Sequence, residues 1–522
     1  MKKIKPTMYE ETTSRSTSIT KFHFGMISFV IALLYVVFLF PSPENNSYNK
    51  DDASLFMTLA INLAEYGRYT TDTFPVENYG HHATWPFVFP VLMSAIISIF
   101  GVSWIAIKFT MASLGLLNLY LLKRLWAGSI IGYWSVILTG LSPAYFLFSH
   151  VTMTEIPFML ACTATILALE KTQGAFGALG ASLLAIIAFY TRGYAITFLP
   201  AATLFFLLKS TWSWKKRFTV IVCFALPFSI GIVAWSIYTT HIIEFYTLDD
   251  MTKTYGNSAE IFSNMMRPIS EYAREFYWYN GRFTIHYFLP IFSVQAVLDN
   301  DTLGFLSIGL LGVVLLGWMI SLRNRYSVIT LWLPFAIGLL LVVSPSPRYW
   351  LTYIPFLFYF FLTAVSEIAK ILPRLSFLNL AIPSMLLLVA VIGLGQHFLN
   401  PDKLRFLSPY WKDYQSIAFW SKSNLPEGSV IVAHHPAIFY VSSNHRVYPI
   451  KKVDPSNWPP KELKNEPNVY VLRPNPSEPT IKPKNTIQGL DTLLQSGQFK
   501  KVKEEGFVSM YIDLTLNEKN SR

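Results

Sequence analysis

Charge is scarce in this chain. Of its 522 residues only 14% are Asp, Glu, Lys or Arg, against roughly 25% in an ordinary soluble protein. So little charge excludes a solvated, disordered chain. It also excludes a wholly soluble protein, although the length alone suggests roughly three domains. Cysteine is scarcer still. Cys162 and Cys223 are the only two. Both lie in apolar stretches, so neither a disulfide framework nor a cysteine metal site is expected. The chain has no internal repeat and no glycine fingerprint of the kind that cradles a nucleotide. No cleavable signal peptide is expected, because the first apolar run is followed by no small-residue cleavage site.

What is abundant is apolar and aromatic. Hydrophobic residues make up 52% and aromatic ones 16%, and mean hydropathy is +0.38. These values fit a chain whose main solvent is lipid, with rings that favour the membrane–water interface. The formal charge of +11 could suggest nucleic acid. The basic residues sit mostly at the ends of apolar runs, however, where they act as topology signals, so no nucleic-acid partner is expected.

A hydrocarbon core of roughly 30 Å needs about 20 helical residues. Eleven runs qualify or come close, near 23–41, 102–122, 128–148, 155–170, 178–190, 194–208, 218–238, 302–322, 327–344, 350–367 and 376–396. With residues 1–22 in the cytoplasm, Lys123–Arg124, Lys171, Lys209, Lys215–Lys216–Arg217, Arg323, Lys370 and Arg374 also fall inside, as the positive-inside rule requires. The segments 42–101 and 239–301 then become external loops, and residues 399–522 an external tail. The expected location is the cytoplasmic (inner) membrane.

Within the first loop, Ala53–Glu65 carries Leu55, Leu59 and Leu63 at helical spacing. Pro86–Gly101 is apolar but short for a span. Both read as helices lying on the outer interface. The tail differs in composition. Ser429–Ala433, Val469–Leu472 and Phe507–Leu514 read as strands, and Gln415–Ser423 and Thr492–Ser496 as helices. The fold class expected is an α-helical polytopic membrane protein of about 11 transmembrane helices, with a small C-terminal α/β extracytoplasmic domain.

A few polar residues stand out against this apolar background. Asp51–Asp52 open the first external helix. As caps they would need no further role, but two adjacent carboxylates exceed what a cap requires, and one could serve as a general base. Glu155 opens the fourth run on the same expected face. It too reads as a cap or as a second acid. Arg192 and Arg348 occupy very short external loops, against the positive-inside bias, and Lys108 lies just inside the second run. Any of them could snorkel. Outward-facing cations at the interface are also natural partners for a lipid phosphate. His81–His82 form a weak metal signal at best, and otherwise read as solvated loop or as a substrate contact. The loop 239–301 interleaves charges with aromatics, and Tyr272–Tyr279 could form an interfacial helix there.

In order along the chain stand the acidic pair of Asp51–Gly67, Trp85-Pro86 with its apolar helix, Lys108, Glu155, Thr191-Arg192-Gly193 and Arg348-Tyr349 with Pro355 after it, then the soluble tail. This order and sidedness resembles the GT-C glycosyltransferases. The resembling branch holds protein O-mannosyltransferases, the lipid A aminoarabinose transferase and bacterial arabinosyl- and mannosyltransferases. The resemblance covers about residues 1–400. It implies a GT-C-like catalytic domain at 23–398 that takes one hexosyl or pentosyl unit from a polyprenyl-phosphate carrier. The acceptor would be a lipid, glycan or protein hydroxyl on the outer face.

By the same resemblance, Asp51 or Asp52 would match the general base, with Asp51 favoured. Glu155 would match the second acidic position, and Arg348, Arg192 and Lys108 the basic positions at the carrier phosphate. His81, His82, Trp85 and Tyr349 are candidate substrate contacts. Some relatives carry a basic residue where Trp85 stands, and His82 or Arg348 would then compensate. No cofactor is firmly implied, and the groups available to a divalent metal are sparse. Two other classes fit the sequence less well. An oligosaccharide ligase or similar lipid-carrier enzyme needs no acidic pair after the first span. A secondary transporter would place its ionisable groups near the midplane, often in duplicated halves.

Overall fold

The computed structural model describes residues 16–37, 51–74, 85–245, 288, 301–324, 326–343, 347–399, 409–433, 435–449, 458–466, 468–474, 493–495, 497–506 and 508–516. The pair His81–His82 and the region expected to hold an interfacial helix at 272–279 lie outside these residues.

Each of the eleven apolar runs contains a helix. These are α1 (Ser16–Val37), α4 (Trp104–Leu125), α5 (Ile130–Leu141) with α6 (Pro143–Phe148), α7 (Glu155–Lys171), α8 (Ala175–Phe189) and α9 (Phe198–Leu207) after a 3-10 turn at Gly193–Thr197. Then follow α10 (Trp214–Phe245), α11 (Asp301–Asn324), α12 (Val328–Val343), α13 (Ile354–Ile371) after a 3-10 turn at Pro347–Tyr353, and α14 (Leu378–Leu399). Five described helices are long and apolar enough to cross a membrane, and six shorter ones are apolar. Large apolar side chains such as Phe305, Leu380 and Met319 point outward. On a water-facing protein such a surface would be a liability. On a bundle in lipid it is the expected exterior, and the protein is an integral membrane protein.

The run at 128–148 is not one helix. Ser142 leaves the helical conformation and Pro143 starts α6. Proline lacks the N–H that an uninterrupted helix would need there. Elsewhere packing demands a small residue. A Cβ added at Gly317 on α11 would strike the carbonyl of Phe360 on α13. Helices in lipid gain by approaching closely at such positions.

Two helices lie outside the run of spans, α2 (Asp51–Tyr66) and α3 (Val88–Phe100). α2 packs on α3 through Phe56, whose ring meets Phe89 edge-on at 5.6 Å. Polar residues of α2 are covered. Ser54, Thr58 and Asn62 are buried along with Leu59.

At Asn62 the cover comes from the C-terminal residues. There α15 (Pro409–Asn424), β1 (Val430–Ala433), α16 (Pro436–Ser443), β2 (Arg446–Pro449), β3 (Val469–Pro474), β4 (Phe499–Glu505) and β5 (Val508–Asp513) build a mixed sheet. Its order is β2-β1-β3-β5-β4. β1 pairs in parallel with β2 and β3, while β5 runs antiparallel to β3 and β4. Helix α16 lies against α2, and the Tyr440 hydroxyl donates to Asn62 Oδ1 at 3.2 Å. Beyond α2 the chain reaches the free edge of β2. The Val447 amide donates to the Thr73 carbonyl at 2.9 Å, and the Thr73 hydroxyl donates to the Val447 carbonyl at 2.7 Å.

Candidate functional site

Glu155 is the first residue of α7 and is fully buried. Burying a carboxylate is costly unless it is paired. Its partner is Arg192, in the break between α8 and the following 3-10 turn. Arg192 Nη2 donates to Glu155 Oε1 at 2.9 Å, and Nε donates to the Thr154 hydroxyl at 2.7 Å. The start of α7 adds its own partial positive charge, which favours a carboxylate there. Neither Arg192 Nη1 nor its exposed edge is used by a hydrogen bond among the described residues; the side chain is 12% exposed.

The guanidinium also stacks on an aromatic. Its Cζ lies 4.6 Å from the centre of the Tyr349 ring. Tyr349 in turn contacts Tyr194, with ring centres 5.3 Å apart. Tyr349 sits in the 3-10 turn that also contains Arg348, so the backbone of Arg348 is brought beside the Glu155–Arg192 pair. The Arg348 side chain lies outside the described positions.

The helices α2 and α3 are tied to the same place. The Val88 amide at the start of α3 donates to the Tyr190 carbonyl at 3.1 Å, two residues before Arg192. The Phe87 and Tyr190 rings lie 4.8 Å apart. Trp85 is buried, and its ring meets Phe56 of α2 edge-on at 4.9 Å. The Tyr69 hydroxyl donates to the Trp85 carbonyl at 2.7 Å, and burial raises the Tyr69 pKa well above its ordinary value. Asp51 and Asp52 are the first two residues of α2, about a turn and a half from Phe56. Their side chains lie outside the described positions.

Lys108 is buried in the second turn of α4. Its charge acts on His150, a residue of the linker between α6 and α7 that the sequence did not single out. Burial pushes the His150 imidazole below its ordinary pKa, and the Lys108 charge adds to this. The carbonyls of Phe146 and Tyr35, at 2.8 and 3.1 Å from the two ring nitrogens, pull the other way. The signal available in the sequence was a histidine at the outer end of an apolar run. Thr154 was also missed; a threonine beside a helix start reads as a cap, not as an arginine partner.

Beside Tyr190 is a cleft of about 360 Å³, lined by Leu63, Tyr69, Phe87, Tyr190, Trp235 and Tyr238 among others. It runs between α2, α3 and the end of α10. Among the described residues, no group of three or more His, Cys, Asp or Glu side chains is placed to hold a metal ion.

Among solved structures the chain is similar to ArnT from Cupriavidus metallidurans in its apo state. The TM-score is 0.55 and the identity 13%, over 96% of this chain and 99% of the other. The chain shares the ArnT fold. The same ArnT bound to undecaprenyl phosphate matches with a TM-score of 0.54 and 13% identity, over 94% of this chain and 97% of that one. ArnT is a GT-C glycosyltransferase, so the GT-C architecture expected from the sequence is the architecture found, including the small C-terminal sheet domain. An oligosaccharyltransferase from Archaeoglobus fulgidus gives a TM-score of 0.48 and 12% identity, over 81% of this chain and 62% of its own. No protein-family model matches the sequence, nor does any curated protein.

Proposed function

We propose that the protein is a membrane glycosyltransferase that moves one sugar from a polyprenyl-phosphate carrier to an acceptor hydroxyl. The observation that carries this reading is the Arg192 guanidinium, oriented by Glu155 and Thr154, stacked on Tyr349 and adjacent to the Arg348 backbone. It sits on a fold shared with a protein that binds undecaprenyl phosphate.

The chemistry follows from the donor. The leaving group is a phosphate monoester, already a good one, so it needs positive charge more than an acid. Arg192 Nη1, Arg348 and Lys108 supply that charge in a site of low dielectric, where fixed cations stabilise the developing negative charge strongly. Asp51 or Asp52 accepts the proton of the acceptor hydroxyl. The oxygen then attacks the anomeric carbon from the face opposite the phosphate. The carbon–oxygen bond to phosphate breaks, and the polyprenyl phosphate departs with both electrons of that bond.

Glu155 has a positioning role in this scheme: it holds Arg192 at the fixed angle that phosphate recognition needs. Trp85 anchors the external helices, and the aromatic cleft beside it suits the first units of an isoprenoid chain. The site faces the outside of the cytoplasmic membrane, with the basic loops in the cytoplasm and the sheet domain, residues 399–522, outside. The sugar is a hexose or a pentose, and the acceptor a lipid, a glycan or a protein.

The test uses purified protein with a synthetic polyprenyl-phosphate sugar. Wild type is expected to release polyprenyl phosphate. Asp51→Asn with Asp52→Asn is expected to abolish release while leaving the thermal unfolding profile unchanged. Full turnover by the double variant would reject the base assignment, and no turnover by wild type on any such donor would reject the reaction.

A further inference from the structure

The opposite end of the bundle holds a second concentration of charge that glycosyl transfer does not use. A cleft of about 720 Å³ opens there between the end of α7 and the loop joining α9 to α10. Its lining includes Lys171, Thr172, Gln173, Lys209, Trp212 and Lys216. We propose that this cleft binds the phosphate of an anionic phospholipid headgroup.

Topology accounts for basic residues on this side of the membrane. It does not account for their convergence on one ring. The Lys209 and Lys216 ammonium groups lie 4.6 and 4.5 Å from the centre of the Trp212 ring. The loop that carries Trp212 is held in shape by Arg217. Its Nε donates to the Trp212 carbonyl at 3.1 Å and its Nη1 to the Leu207 carbonyl at 2.8 Å. Lys209 Nζ also reaches across to the Thr172 carbonyl at 3.4 Å, joining the two walls of the cleft. Three lysines line one space whose lining holds a single carboxylate, Glu170. One oxygen of that carboxylate accepts from the Val328 amide at 2.6 Å. The net charge of the lining therefore favours an anion.

The rim decides between a lipid and a free ion. Phe176 is 92% exposed, Trp214 68% and Phe218 62%, and Leu208 is also exposed. Leu208, Trp214 and Phe218 flank Lys209 and Lys216 along the chain, and Phe176 follows Lys171 by five residues. A soluble phosphate would gain nothing from such a rim. Acyl chains would cover it while the headgroup phosphate sat among the ammonium groups. Each lysine near an anionic membrane surface contributes on a scale that corresponds to roughly 5-fold in affinity.

The test is titration of the full-length detergent-purified protein with phosphatidylglycerol, phosphatidylcholine or inorganic phosphate, read by native mass spectrometry. Phosphatidylglycerol is expected to be retained in preference to phosphatidylcholine. Lys171→Gln with Lys216→Gln should lower its affinity roughly 20-fold or more, the product of two such steps. The control is Lys123→Gln with Arg124→Gln, which removes equal charge from the same side but outside the cleft; it should change affinity little. An equal loss in the control would show general surface attraction and overturn the site. Equal retention of inorganic phosphate, or no preference over phosphatidylcholine, would overturn the lipid assignment. The test does not require any glycosyl-transfer activity.

Discussion

Asn62 and Tyr440 meet across 378 positions of sequence, the phenol donating to the amide oxygen. Both amide hydrogens of Asn62 are also used. Its Nδ2 donates to the carbonyls of Thr70 and Asp72, each at 2.8 Å. One buried side chain therefore folds residues 67–74 back along α2 and receives the tail domain on top.

Asn62→Ala is expected to destabilise the protein by about 2 kcal/mol, because it strands two carbonyls and a buried hydroxyl. Tyr440→Phe removes one bond and should cost about 1 kcal/mol. Thermal unfolding in detergent, with limited proteolysis of the tail as a local readout, measures both. Equal stability of Asn62→Ala and wild type would refute the bridging role.

Breaking the buried ion pair should be more damaging than replacing it. Glu155→Ala leaves the Arg192 charge without its partner and is expected to cost about 3–5 kcal/mol. Arg192→Met alone leaves the carboxylate buried and should be similar. Glu155→Ala with Arg192→Met should lose less than the sum of the singles, since neither charge is then left behind. Additive losses in a double-mutant cycle would mean the two residues do not act together. Transfer activity should fall in all three.

Gly317→Ala is expected to destabilise the bundle by about 1–3 kcal/mol through overpacking of α11 against α13. Gly309→Ala, on the same helix with open space around it, is the control and should be tolerated. The two unfolding temperatures give the comparison; equal values would remove the close approach from the account.

Burial raises the pKa of both Tyr69 and Tyr440 above the ordinary tyrosine value. A raised folded pKa means the unfolded chain releases its proton first as pH climbs. The contribution is therefore intact below about pH 10, the ordinary tyrosine value, and is lost progressively above it. Proteolytic release of the tail domain should accelerate in that alkaline window. Tyr440→Phe should flatten the dependence, and an unchanged pH profile in that variant would contradict the assignment.

The spans were legible because lipid imposes long apolar runs, and each of the eleven holds a helix. The break at Ser142–Pro143 was marked by its proline but hidden within continuous hydrophobicity. The strands expected in the tail contain β1 and β5 and cover the first four residues of β3, and these residues are largely buried. β2 has only four residues, with Arg446 and Pro449 at its ends, and β4 reads Phe499–Glu505, mostly exposed and rich in lysine. Neither offers an apolar signal. The helix α2 was legible, but its environment was not, since the burial of Ser54, Thr58 and Asn62 depends on what packs against them. In the candidate site, the placement of Glu155 and Arg192 at chain breaks could be read. Their contact could not, because it depends on how α7 and α8 are rotated about their axes.

The contact between Thr73 and Val447 carries a consequence for how the molecule can be divided. Val447 belongs to an outermost strand, and such margins recruit any extended peptide that comes near. Here the recruit is a stretch of the same polypeptide made long before the sheet. Excising the tail as a separate product would leave that margin bare and prone to pairing with a neighbour, whereas in the intact protein the early segment is already waiting when the last strands emerge.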